Sequence, residues 1–139
     1  MAITASAGHS GGNSIGAATN GRTAVKSIGS NIGTMFLAFA YQTAGGVVGA
    51  IAALTDAGAT QVDFNCLADG TIQARRGGSV VLGATSPGAY VPGAYQHIEL
   101  EVVINATVGV VNIWVNGSNV LALTSPNTKA TANSTVSGF

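Results

Sequence analysis

Apolar and polar residues alternate with a period of two along Tyr95–Thr124, YQHIELEVVINATVGVVNIWVNGSNVLALT. Ile98, Leu100, Val102 and Ile104 fall on one side, and His97, Glu99, Glu101 and Val103 fall on the other. This is the signature of a half-buried strand. After a break at Asn105–Gly109, the pattern resumes with Val111, Ile113 and Val115. Asn116-Gly117 follows; both residues tolerate positive φ, which predicts a tight hairpin turn. Val120–Thr124 then returns as a third strand. An antiparallel meander with one apolar face requires a second layer to cover it.

The upstream residues can supply that layer. Arg22–Ile28 reads as a short strand. In Gly33–Thr43, Met35, Leu37, Phe39 and Tyr41 share one face while Phe36, Ala38 and Ala40 share the other. Both faces are apolar, so this strand is expected to be central or to lie under another element. Val47–Leu54 reads as a strand because Gly45, Gly46 and Gly49 penalise a helix. Asp56–Gly58 is a turn. Thr60–Leu67 alternates Val62, Phe64 and Cys66 against Gln61, Asp63 and Asn65. Asp69-Gly70 and Gly77-Gly78 are further turn signals, bounding strands at Thr71–Arg75 and Ser79–Gly83. Ser86–Gly93 holds two prolines and reads as a loop. The regular succession of short strands and turns predicts an all-β, antiparallel β-sandwich.

The two ends read differently. Met1–Gly21 is rich in Gly, Ala, Ser and Asn and has almost no large apolar residue, so alone it cannot offset its ordering entropy. It is either a flexible tail or an extended arm ordered against a neighbour, ahead of one domain over residues 22–139. Thr128–Phe139 is polar, with only Val136 and Phe139 as anchors.

Charged residues are 7% of the chain and the formal net charge is zero, against about 25% charged in ordinary soluble domains. Five Lys and Arg in all argue against a nucleic-acid partner, which needs clustered basic charge. A near-neutral surface favours association. Ala44–Leu54, the longest apolar run, falls well short of the ~20 residues of a membrane-spanning helix. The N-terminus lacks the basic and apolar regions of a signal peptide. Cys66 is the one cysteine; its alternation with Val62 and Phe64 makes it a small buried apolar residue.

Several local phrases carry a resemblance. They are Thr60-Gln61-Val62 leading to Ala68-Asp69-Gly70-Thr71, then Arg76-Gly77-Gly78, Tyr95-Gln96-His97-Ile98-Glu99-Leu100, and Val111-Asn112-Ile113-Trp114-Val115-Asn116-Gly117. Together they resemble the concanavalin A-like lectin/glucanase superfamily, the laminin G-like jelly roll, in versions found in tailed-bacteriophage virion proteins. The resemblance covers Arg22 to Phe139 and implies a jelly-roll sandwich. Tyr95 stands where the family usually has tryptophan. Relatives also usually run on past Phe139 into a strand that closes the sandwich, which implies an open edge here. By this resemblance the chain is a structural protein of a phage particle, a capsid decoration or a tail or fibre component. It would be assembled in the host cytoplasm and pair as a homo-oligomer or with other virion proteins.

Catalysis is not expected. Glu99 and Glu101 share a strand face, the arrangement that glycoside hydrolysis needs in outline. The glucanase branch of the superfamily, however, uses Glu-x-Asp-x-x-Glu, and Val102, Val103 and Ile104 follow here. A solvated strand face is the simpler account. His97 has no nucleophile or orienting acid beside it in sequence. Asp56, Asp63 and Asp69 do not have calcium-loop spacing, so neither metal nor cofactor is expected. Glycan binding is the alternative function. Trp114 points away from Val111, Ile113 and Val115, on the face of Asn112 and Asn116, and an aromatic flanked by amides can stack on a sugar and bond its hydroxyls. The competing role for Trp114 is burial under the other sheet or a neighbouring subunit.

Overall fold

The computed structural model describes residues 4–7, 13–16, 27–43 and 49–139. It is an antiparallel sandwich of two sheets. The four-stranded sheet runs β11-β10-β9-β4, built from β4 (Thr34–Tyr41), β9 (Gln96–Val103), β10 (Val110–Val115) and β11 (Ser118–Thr124). The six-stranded sheet runs β3-β12-β5-β6-β7-β8. Its strands are β3 (Ser27–Ile32), β5 (Gly49–Asp56), β6 (Ala59–Cys66), β7 (Ile72–Arg76), β8 (Val80–Ala84) and β12 (Val136–Gly138). Nearer the N-terminus, β1 (Thr4–Ala7) pairs with β2 (Asn13–Gly16) as an antiparallel ribbon, which the unpatterned sequence there does not signal. The rest of the expected arm, and Arg22–Lys26 of the first expected strand, lie outside the described residues; β3 begins where that strand was expected to finish.

The alternation in the meander sets the core. Ile98, Leu100, Val102, Ile104, Val111, Ile113 and Val115 are all buried, and the register places Leu100 opposite Ile113 and Val102 opposite Val111. Leu54, Val62, Phe64, Cys66, Ile72 and Val136 meet them from the six-stranded sheet. Burial, and then the nearby Asp69 carboxylate, push the Cys66 thiol up from its ordinary value. At one seam the sheets come close enough that a methyl on Gly83 of β8 would stand 2.8 Å from Leu123 Cδ1 of β11.

The turns form where their residues permit. Asn116 and Gly117 both hold positive φ, closing β10 onto β11. Gly70 has a second constraint. A Cβ there would lie 2.0 Å from the Tyr90 carbonyl oxygen, because Tyr90 N–H donates to Gly70 O at 2.9 Å. The loop that the prolines mark is therefore not merely a surface connection. It drops Tyr90 wholly into the core, where the phenol oxygen accepts the Thr43 backbone N–H at 2.8 Å.

Two expectations need correcting. The strand of Gly33–Thr43 is not central: β4 pairs only with β9 among the described residues, and Phe36 on its outer side is 67% exposed. Its outer apolar residues face solvent rather than a third layer. Gln61 and Asp63, on the side of β6 opposite Val62 and Phe64, are buried as well. Residues 130–135 are bonded to Gln61, and Asp63 is held by Arg75 of β7, whose Nε donates at 3.0 Å. Finally, the sandwich is not left open for want of a closing strand. Thr128–Phe139 runs back across the six-stranded sheet, and β12 inserts between β3 and β5. Val136 is the buried anchor, whereas Phe139 remains 38% exposed.

Candidate functional site

The outer face of the four-stranded sheet gathers the residues with chemistry to offer. Its geometry follows from strand register. Ala38, Glu99 and Trp114 stand side by side on β4, β9 and β10; Phe36, Glu101 and Asn112 form the next row. Residues two positions apart on a strand share a face, so all six project outward, away from the Leu100–Ile113 core.

A cleft of about 200 Å³ lies on this face, lined by Phe36, Leu37, Ala38, Glu99, Leu100 and Trp114. Leu37 and Leu100 turn their side chains towards the core, so the cleft walls are Phe36, Glu99 and Trp114. Ala38 contributes only a methyl beside Glu99, and the row dips there. A register shift between Ile113 and Trp114 in the pairing with β11 marks a bulge beside the indole, the kind of irregularity that re-aims a side chain.

The polar groups are organised in pairs. Asn112 Nδ2 donates to Glu101 Oε2 at 2.8 Å. His97 Nδ1 lies 3.3 Å from Glu99 Oε1, with both side chains well exposed. Asn116 is placed differently from what its neighbourhood in sequence implied. Its Oδ1 accepts the His97 backbone N–H at 2.9 Å and its own N–H donates to His97 O at 2.8 Å. That oxygen is a fixture of the hairpin, so Asn116 braces the site. Trp114 and Asn112 do share the open face, and the other sheet does not cover Trp114.

Sequence reading missed Phe36 and the role of Glu99 as a wall of the cleft. The signal for Phe36 was present in its alternation with Leu37, but an apolar outer face looks the same in sequence whether it is covered or bare. Tyr95 is 75% exposed in the loop ahead of β9 and lines no part of the cleft.

Chemically, the cleft offers two aromatic walls, a carboxylate acceptor and an amide nearby. Such a set can stack on an apolar ring face and accept hydrogen bonds from hydroxyls or amides. Among the described residues no group of three or more His, Cys, Asp or Glu is placed to hold a metal ion. In comparisons with known proteins, no family model, no curated protein and no solved structure matches this chain.

Proposed function

We propose that this chain is a non-enzymatic structural module of a bacteriophage particle, a capsid decoration or a tail or fibre component, working through contacts between subunits. The observation that carries this reading is the bare outer side of β4. TMFLAFAY has no charge and no proline, it is an edge among the described residues, and it presents Phe36 to solvent. Monomeric proteins usually blunt such an edge with Lys, Pro or a bulge. The resemblance to laminin G-like virion domains and the charge-poor composition agree with a protein that spends its life against neighbours. Glu99 and Glu101 belong to this reading as polar-face residues, paired with His97 and Asn112. The test is fractionation of particles by density, followed by detection of this chain. Co-migration with intact particles is expected; its recovery only among free soluble proteins would overturn the proposal.

A second reading, a carbohydrate-binding module for attachment to the host surface, is favoured by one observation: Trp114, half-buried on the outer face, shares its cleft with Glu99 and Phe36. A glycan array with the wild type and Trp114→Ala separates the two readings. Glycan retention that Trp114→Ala abolishes would support attachment, and the absence of any bound glycan would leave subunit contact as the role of this face.

A further inference from the structure

The segment from Ser125 to Phe139 is held like a bound peptide. Thr128 is wholly buried; its Oγ1 donates to Val103 O at 2.7 Å and accepts the Asn105 N–H at 2.8 Å. The Gln61 side chain then reads the next turn. Its Oε1 accepts the N–H groups of Ala130 and Thr131 at 2.7 and 3.1 Å, and its Nε2 donates to Asn133 O and Thr135 O at 2.8 and 3.1 Å. Asp56 Oδ2 accepts Thr131 Oγ1 at 2.7 Å and Asn133 Nδ2 at 3.0 Å. Finally β12 adds as a strand, with Val136 as the single apolar knob. Strand addition with one anchoring pocket is a recognised mode of peptide capture. Here nearly all of the recognition lies between the segment and the body rather than within the segment.

The point where the segment leaves the body is strained. Ser125 follows the last residue of β11 and holds φ 64, in the left-handed region that non-glycine residues avoid. Pro126 comes next, and proline restrains its predecessor to extended backbone. Straightening this turn removes the strain and carries the segment away from its own body. A strained hinge followed by a detachable strand is the arrangement that favours exchange between copies.

We infer that residues 125–139 are an exchangeable clasp, and that the seat formed by Gln61, Asp56, Thr55 and β3 takes the same segment from a second copy of this chain. A second copy offers every donor, acceptor and knob that the seat engages, and reciprocal exchange about a two-fold axis fills both seats. The released Ser125 turn supplies the bias, and concentration supplies the rest. The inference concerns the chain alone and is independent of where the protein resides.

The experiment pairs two full-length variants: Gln61→Ala, with a damaged seat and an intact clasp, and Val136→Asp, with an intact seat and a damaged clasp. They are refolded together at equal, high concentration and weighed by native mass spectrometry. The expected result is a dimer of mixed mass that persists on dilution and contains one seat and one clasp that are both intact, so that this half of the dimer melts above either variant alone. A mixture that behaves as the sum of its parts would overturn the inference. Because either variant can fail to fold, wild-type chains of two isotopic masses are also refolded together. A mixed-mass dimer that persists on dilution is expected, and only monomers, or dimers that dissociate at once, would count against exchange. Ser125→Gly, which accepts the turn without strain, should lower the dimer yield several-fold; an unchanged yield would remove the hinge from the account.

Discussion

The side-chain oxygen of Gln61 accepts the Ala130 backbone N–H at 2.7 Å across 69 positions of sequence. This contact joins the middle of β6 to the returning C-terminal segment, and four further hydrogen-bond partners cluster on the same amide. Gln61→Leu keeps the volume but removes every partner, leaving backbone groups of residues 130–135 unsatisfied. A buried orphan group costs about 1–3 kcal/mol, so a loss of at least that size is expected in a denaturant melt. A neutral Gln61→Leu would mean that water satisfies the segment without the amide.

Leu100 and Glu101 are neighbours on β9 with opposite fates, one buried and one on the open face. Leu100→Ala should cost roughly 2–5 kcal/mol as a large-to-small core change. Glu101→Ala should stay within about 0.5 kcal/mol, as surface changes usually do. Equal losses in parallel melts would place the strand in the other register.

Two glycines with similar φ should respond differently to alanine. Gly78 has open space around a notional Cβ, so Gly78→Ala pays backbone strain alone, about 1–2 kcal/mol. At Gly70 the added methyl also collides with the Tyr90 carbonyl, and the loop that seats Tyr90 has to move. Gly70→Ala should therefore give the larger fall in melting temperature, with loss of the near-ultraviolet signal of buried tyrosine.

Asp69 Oδ1 accepts the Thr71 N–H at 2.9 Å, and that bond holds the carboxyl below its ordinary value of 3.8. The unfolded chain thus takes up this proton first as the solution is acidified. The turn's contribution is complete above pH 3.8 and is lost as the pH falls through the lower, folded value. Asp69→Asn keeps an acceptor and removes the titration. The stability difference between wild type and Asp69→Asn should shrink or reverse only below that pH, and a difference that varied instead near neutrality would assign the effect elsewhere.

Ala38 lies on the outer side of β4, beside Phe36. Ala38→Lys places a charge on the edge at little cost to the core and should suppress self-association, as charged edge residues do elsewhere. Sedimentation at rising concentration measures this. Association that the lysine leaves unchanged would move the contact away from β4.

The fold was legible wherever burial acts residue by residue. In Ile98–Ile104 and Val111–Val115 each side chain is either in the core or out of it, so alternation reads directly as geometry. Asn116-Gly117 was legible for a local reason, since its backbone angles are available to few other pairs. What escaped reading depends on residues far away in sequence. Nothing local in Thr60–Leu67 announces that a segment some 70 positions on will bury Gln61, and a polar segment with one valine does not look like a strand until a sheet receives it. Tyr90 was hidden for the same reason, because its partners Thr43 and Gly70 lie on other elements. At the candidate site Trp114 and Asn112 were legible from strand parity. Phe36 was not, because parity gives a face and does not say what faces it.

The insertion of β12 also sets a timetable. Among the described residues β3 has no strand partner except β12, so residues 27–32 wait for residues 136–138 before they can join the sheet. On the ribosome, the interval between the two is nearly the whole domain. At roughly 5–20 residues per second, β3 spends about 5–20 s in an unpaired state. The meander and the β5–β8 hairpins can form as they emerge, but the six-stranded sheet closes only after synthesis has passed residue 138. Long-range pairing of this kind is slow, so β3 is the last strand of the six-stranded sheet to find its place.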